Sequence, residues 1–257
     1  MLVVQHQESC PPALFGSWLT EAGVALDVCR ADLGAEVPAL TGVAGRESYD
    51  GLLVLGGEMD ADADTDHPWL PAVRHRLVEA AAAGVPALGL CLGHQLAGLA
   101  LGGSVERNPH GLTVGLRQVD WEPTVIFDPL VGAIAGEDRA MQWNRDVVVD
   151  LPPAAVVLAT GLDGAVQAAR FTATVWGVQF HPEVDTGVVQ RWADADPDAL
   201  ASVGLDAEAL VESVLLAQPE LVKTWRPLAE SFARLVRGRA AAGDYFGRDT
   251  GLGGGRA

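Results

Sequence analysis

The chain has 257 residues, 49% of them apolar, enough for a full core in one α/β domain with an appendage. A formal net charge of −17 argues against nucleic acid and against an anionic membrane surface as partners. The only lysine is Lys223, so no glycine-rich loop ending in Gly-Lys can cradle a nucleotide phosphate, and Schiff-base chemistry is disfavoured.

Met1 to Gln7 lacks a basic leader and reads as a first strand, with Leu2 to Val4 opening a sheet. Ala13 to Ala22 has helical spacing, and Val24 to Cys29 reads as a second strand. Gly51 to Leu55 is a third strand, ending in Gly56-Gly57. Leu70 to Ala83 is a helix, closed by Gly84 and Pro86. Pro86 to Leu90 leads to Cys91, and Gln95 to Leu101 is helical. Leu112 to Trp121 and Val156 to Ala159 read as strands, and Val166 to Phe171 pairs with Thr174 to Phe180 about a turn. Strands alternating with helices predict a parallel sheet covered on both faces. Ala207 to Ala217 and Pro219 to Arg239 read as two helices, with Pro227 kinking or splitting the second. Leu221, Trp225, Leu228, Phe232 and Leu235 form one apolar stripe there, expected to pack onto the parent domain. The glycine-rich end, residues 241–257, reads as a disordered tail.

Two short stretches carry the chemistry. Gly89-Leu90-Cys91-Leu92-Gly93-His94-Gln95 places a cysteine between glycines, after an apolar strand and before a helix. That is the thiol counterpart of the Gly-x-Ser-x-Gly nucleophile elbow. Glycines on both sides let strand and helix approach closely. A sulfur at a helix N-terminus is favoured as thiolate, the reactive form, and the Leu92 N–H is a natural oxyanion donor. Gly177-Val178-Gln179-Phe180-His181-Pro182-Glu183 ends another apolar strand in a histidine. His181 can take and return a proton, and Glu183, two residues on in extended chain, can orient it. Alone, a cysteine in an apolar run is usually core and His-Pro-Glu usually a surface turn. Together they favour nucleophile, base and orienting acid.

These two motifs resemble the signature of class I (triad-type) glutamine amidotransferase domains over roughly residues 1–190. Leu55-Gly56-Gly57-Glu58-Met59 is similar to that family's glycine-rich oxyanion strand end. Asp66-His67-Pro68-Trp69-Leu70 resembles a loop of the stand-alone subgroup related to the GMP synthase amidotransferase domain. The resemblance implies a flavodoxin-like three-layer αβα sandwich with a mostly parallel central sheet, plus C-terminal helices. With the shift in composition after Val184, the chain is expected to divide into an amidotransferase domain over 1–196, a helical extension over 197–240 and the tail. The resemblance also implies glutamine hydrolysis through a γ-glutamyl thioester on Cys91, with His181 and Glu183 completing the triad. Gly56, Gly57 and Leu92 would form the oxyanion site, and Gln95 would help hold glutamine. Asn144-Arg145-Asp146 departs from the His-Gly-Asp stretch of the related stand-alone proteins, and Thr113 to Leu116 lacks the acidic and aromatic residues usual around Gly115.

Asp60, Asp62, Asp64 and Asp66 mimic the start of a calcium loop, but Thr65 stands where glycine is needed and Pro71 where glutamate is. The expectation is a solvated acidic loop near the site entrance. His94 is expected to be a packing residue, and the other histidines have no ligand spacing, so neither metal nor cofactor is expected. Cys10, Cys29 and Cys91 have no framework spacing, and no apolar run reaches a membrane span, which reads as cytoplasmic. The leading function is an amidotransferase that supplies ammonia to a separate synthase, since no Ser-Gly-Gly-x-Asp-Ser loop is present. The alternative is a stand-alone hydrolase of γ-glutamyl amides or peptides, and the third a non-catalytic regulatory module of the same fold. Oligomeric state is left open by the sequence.

Overall fold

The computed structural model describes residues 1–42, 48–134, 136 and 138–248. Eleven strands and six α-helices follow in order: β1 (Leu2–Gln5), α1 (Ala13–Glu21), β2 (Asp27–Arg30), β3 (Leu52–Val54), α2 (Leu70–Ala83), β4 (Ala87–Leu90), α3 (Leu92–Ala100), β5 (Ser104–Arg107), β6 (Thr113–Trp121), β7 (Asp138–Asn144), β8 (Asp146–Asp150), β9 (Val156–Thr160), β10 (Val166–Arg170), β11 (Val175–Val178), α4 (Thr186–Ala195), α5 (Pro197–Ser202) and α6 (Ala207–Arg248). Nine strands form one mixed, mostly parallel sheet in the order β2-β1-β3-β4-β11-β10-β9-β6-β7. It is parallel from β2 through β11 and antiparallel from there to β7. β5 and β8 form a separate antiparallel ribbon.

Period-two alternation sends the strand side chains into two cores. Val3 and Leu53 join α1, α4 and α6 on one face, whereas Leu2, Val4, Leu52 and Val54 join α2 and α3 on the other. The expected three-layer arrangement is therefore present. β3, β4 and β11 are consecutive neighbours in the sheet, so their carboxyl ends lie side by side. Open α/β sheets bind ligands at such ends.

The second strand begins at Asp27, later than Val24. Gly23, at φ 84°, and Val24 close α1 instead, their N–H groups donating to the Thr20 and Leu19 carbonyls. The two expected C-terminal helices are one helix, α6, with Pro219 and Pro227 inside it. Each proline removes one helical hydrogen bond and costs about 3 kcal/mol or more. Burial opposes that: Leu210, Val214, Leu221, Trp225, Leu228, Phe232 and Val236 are all at most 5% exposed, and each large apolar side chain contributes roughly 1.5–3 kcal/mol. Trp225 stacks on Phe180 with ring centroids 4.5 Å apart and donates its indole N–H to the Arg139 carbonyl at 3.2 Å. The extension thus packs against β7 and against Phe180, just past the end of β11. The helix continues past residue 240 to Arg248, and residues 249–257 lie outside the described residues. Among the described residues, no helix is long and apolar enough to cross a membrane.

Candidate active site

Cys91 joins β4 to α3 with φ 49° and ψ −104°. A non-glycine residue rarely holds positive φ, and such strain persists only where the surroundings fix it. Here the Cys91 N–H donates to the Val178 carbonyl at 2.8 Å, and the Gln95 N–H closes the first helical turn on the Cys91 carbonyl at 3.1 Å. Glycine is required on both sides: a Cβ at Gly89 would overlap the Gly93 carbonyl, and one at Gly93 would overlap that of Val54. The sulfur stands at the amino end of α3, where the helix dipole favours an anion.

His181 follows β11 and is pinned by its N–H to the Met141 carbonyl, 2.8 Å away on β7. Its Nδ1 lies 2.8 Å from Glu183 Oε1, with both side chains at most 3% exposed. Its other nitrogen, Nε2, is buried without a hydrogen-bond partner among the described residues. Burial opposes the imidazolium, but attraction to the Cys91 sulfur and the Glu183 carboxylate outweighs it, and His181 is pushed up to about 10. The ring therefore holds its proton through neutral pH, with Nδ1–H assigned to Glu183 and Nε2 turned toward the sulfur.

Gly56 lies where these groups meet. A Cβ there would stand 3.1 Å from His181 Cε1 and 3.7 Å from Cys91 Cβ. Gly57 is packed beside Leu92, its virtual Cβ 2.9 Å from Leu92 Cδ2. Among the described residues, neither the Gly57 nor the Leu92 N–H donates to a protein acceptor. Two donors are thus available near the sulfur, as an oxyanion site needs.

Gln95 lies one turn beyond Cys91. Its Nε2 donates to the Asp146 carbonyl at 2.9 Å and to Gln179 Oε1 at 3.3 Å. Gln179 in turn places Nε2 3.6 Å from Cys91 Sγ. Sequence reading passes over Gln179, although it sits two residues before His181 in the stretch that follows β11. It also misses Trp192 on α4, whose ring lies edge-on to His181 at 4.6 Å and to Trp143 at 5.8 Å. His94 is fully buried against Phe171, and burial pushes it down to about 3, so it is a neutral packing residue.

Two cavities meet at Gly57, Glu58, Cys91, Trp143 and Asp196. The larger, about 320 Å³, is walled by Gln95 and Asn144 and rimmed by Asp60, Arg107, Arg145 and Asp146. Arg107 pairs with Asp146 at 2.9 Å and with Asp60 at 3.4 Å. Asp146 is pushed up to about 6, by burial first and by Asp60 and Asp62, against the pull of Arg107. Arg145 reaches Asp196 at 2.9 Å with both side chains about half exposed, at 53% and 43%. The acidic loop meets this rim through Asp60, while Asp64 is bound by Arg74. The Trp69 loop packs on His6, Trp69 Nε1 donating to its Nδ1 at 3.1 Å. Among the described residues, no group of three His, Cys, Asp or Glu side chains could hold a metal ion.

A family model described as glutamine amidotransferase class-I matches residues 17–191. The chain belongs to that family. It is 34% identical over 140 residues to a subunit of the glutamine-hydrolyzing GMP synthase of Halobacterium salinarum, covering 52% of this chain and 67% of that one. It is 25% identical over 194 residues to gamma-glutamyl peptidase 5 of Arabidopsis thaliana, covering 73% and 74%. A solved glutamine amidotransferase from Thermotoga maritima superposes with a TM-score of 0.79 at 25% identity, covering 90% of this chain and 96% of that one. The amidotransferase assignment covers the elbow; the match ends past Glu183 and short of α5 and α6.

Proposed function

We propose that this amidotransferase hydrolyses glutamine through a γ-glutamyl thioester on Cys91 and releases ammonia for a separate synthase. The Cys91 sulfur attacks the γ-carbonyl carbon. The Gly57 and Leu92 N–H groups receive the oxyanion, and His181, held by Glu183, gives its proton to the departing nitrogen. Water, activated by the same imidazole, then cleaves the thioester to glutamate. The larger cavity suits the amino-acid head, since Arg107 and Arg145 offer charge to a carboxylate and Asp60 and Asp146 to an ammonium. Gln95, with Gln179 behind it, walls that cavity beside the sulfur. The observation that carries this reading is the strained Cys91 beside the buried His181–Glu183 pair at the junction of two cavities. The Halobacterium relative is named as one subunit of its synthase, which supports a synthase on another chain.

Ammonia and glutamate released from glutamine by the purified protein, and lost in Cys91→Ala, test it. A protein that binds glutamine without turning it over would contradict it. A second reading, hydrolysis of larger γ-glutamyl amides by the same thioester, is favoured by the likeness to a gamma-glutamyl peptidase across 73% of this chain.

A further inference from the structure

The two cavities at Cys91 differ in chemistry. His181 lines the smaller one, about 100 Å³, and not the larger. The scissile nitrogen must receive its proton from His181, whose buried Nε2 has no other partner among the described residues. The leaving group therefore departs into the smaller cavity, while the acyl group occupies the larger. Among the described residues, no arginine or lysine lines the smaller cavity; its wall carries Trp192, together with Trp143, Glu58 and Asp196, which it shares with the larger one.

We propose that this smaller cavity is a leaving-group subsite for amines bearing a second positive charge, so that the enzyme also hydrolyses γ-glutamyl amides of aliphatic diamines. The inference rests on the thioester reading above. Trp192 is fixed by its indole N–H on the Ser9 carbonyl at 2.9 Å and by edge contacts to His181 and Trp143. Two held tryptophans offer aromatic surface to an ammonium group. Glu58 forms no ion pair among the described residues, and its side chain is exposed at the cavity rim. Asp196 is shared between Arg145 and the Ala199 N–H. Beyond the His181 ring, which is committed to the scissile nitrogen, a leaving group ending in a carboxylate meets these acids, the aromatic walls and the neutral Gln7 and Ser9. One ending in an ammonium meets complementary charge. In the step, the sulfur adds to the γ-carbonyl, the C–N bond breaks, and the nitrogen takes the His181 proton. The diamine leaves with its distal ammonium unchanged, and water cleaves the C–S bond to give glutamate.

Three matched amides, assayed on the full chain, test this: γ-glutamyl-diaminobutane, γ-glutamyl-butylamide and γ-glutamyl-aminobutyrate, with glutamine in parallel. The cationic amide should exceed the anionic one in kcat/KM by about tenfold or more, with the neutral amide between. Glu58→Gln, an exposed change that leaves the core intact, should shrink that ratio several-fold, and Trp192→Leu should do the same. A ratio within about twofold, or one favouring the anionic amide, would overturn the proposal. Turnover of glutamine with all three amides inert would overturn it while leaving the thioester reading standing. Inertness of glutamine and the amides alike would remove the thioester reading and the subsite with it.

Discussion

His181 Nδ1 lies 2.8 Å from Glu183 Oε1 in a pair almost sealed from solvent. The carboxylate fixes the tautomer that leaves Nε2 for the sulfur, and it stabilises the charged ring. Glu183→Gln keeps the shape and removes the charge. It should lower kcat by roughly 10²- to 10⁴-fold while the protein stays folded, as judged by steady-state kinetics and circular dichroism. Wild-type kcat in this variant would leave Cys91 and His181 working without an orienting acid.

The titration of His181 has a defined sign. Its folded value, about 10, lies above the ordinary 6.5. Stability from this charge is therefore fully present below 6.5 and is lost as pH rises through about 10. The Cys91 sulfur and Glu183 are the raising causes. In Cys91→Ala the His181 ring resonances should titrate at lower pH than in the wild-type protein, followed by NMR. An unchanged titration would separate the two groups.

The three cysteines differ in reactivity. Burial, with Glu183 and Cys91 adding to it, pushes the Cys10 thiol up, and burial pushes the Cys29 thiol up. Both are held as thiols at neutral pH. A glutamine-like diazoketone should label the protein once, on Cys91, as read by peptide mass spectrometry. Label on Cys10 or Cys29 would contradict the assignment.

Two glycine substitutions should separate site from scaffold. Gly56→Ala places a methyl 3.1 Å from His181 Cε1, so it should cut kcat by about tenfold or more with little loss of Tm. Gly93→Ala drives a methyl into the Val54 carbonyl where strand and helix touch, so thermal unfolding should show roughly 1–3 kcal/mol or more of destabilisation. Equal effects on Tm would merge the two roles.

How much of this is legible in the sequence follows from what is local. The elbow and the His-Pro-Glu strand end are set by neighbours in the chain, so glycine spacing and apolar runs disclose Cys91, His181 and Glu183. Their convergence needs β3, β4 and β11 side by side, which alternation of strands and helices suggests. Trp192 and Asp196 come from α4 and the turn after it, outside both motifs, and only tertiary packing brings them to the cysteine. The unbroken α6 is hidden because Pro219 and Pro227 speak locally for a break, and the buried stripe that opposes them acts only once it meets the sheet. β5, β7 and β8 escape a reading of the sequence, since β5 and β8 form a ribbon of their own and β7 is an edge strand.

Arg145 lines the larger cavity but spends its guanidinium on Asp196 at the half-exposed rim. Exposed pairs contribute about 0–1 kcal/mol, so Arg145→Gly should shift Tm little. It lines the acyl cavity and not the smaller one, and its partner Asp196 stands between the two. The substitution should therefore weaken glutamine and γ-glutamyl amides alike in kcat/KM. A selective loss of amides carrying an extra carboxylate would place Arg145 on the leaving-group side and contradict the division between the cavities.

The thioester itself can be caught directly. Protein mixed with glutamine and quenched in acid during turnover is digested and its peptides are weighed. One γ-glutamyl group should be found on the peptide containing Cys91, appearing before ammonia reaches its steady rate and absent in Cys91→Ala. Ammonia release that persists undiminished in Cys91→Ala, with no adduct on the wild-type peptide, would mean that the chemistry does not pass through Cys91.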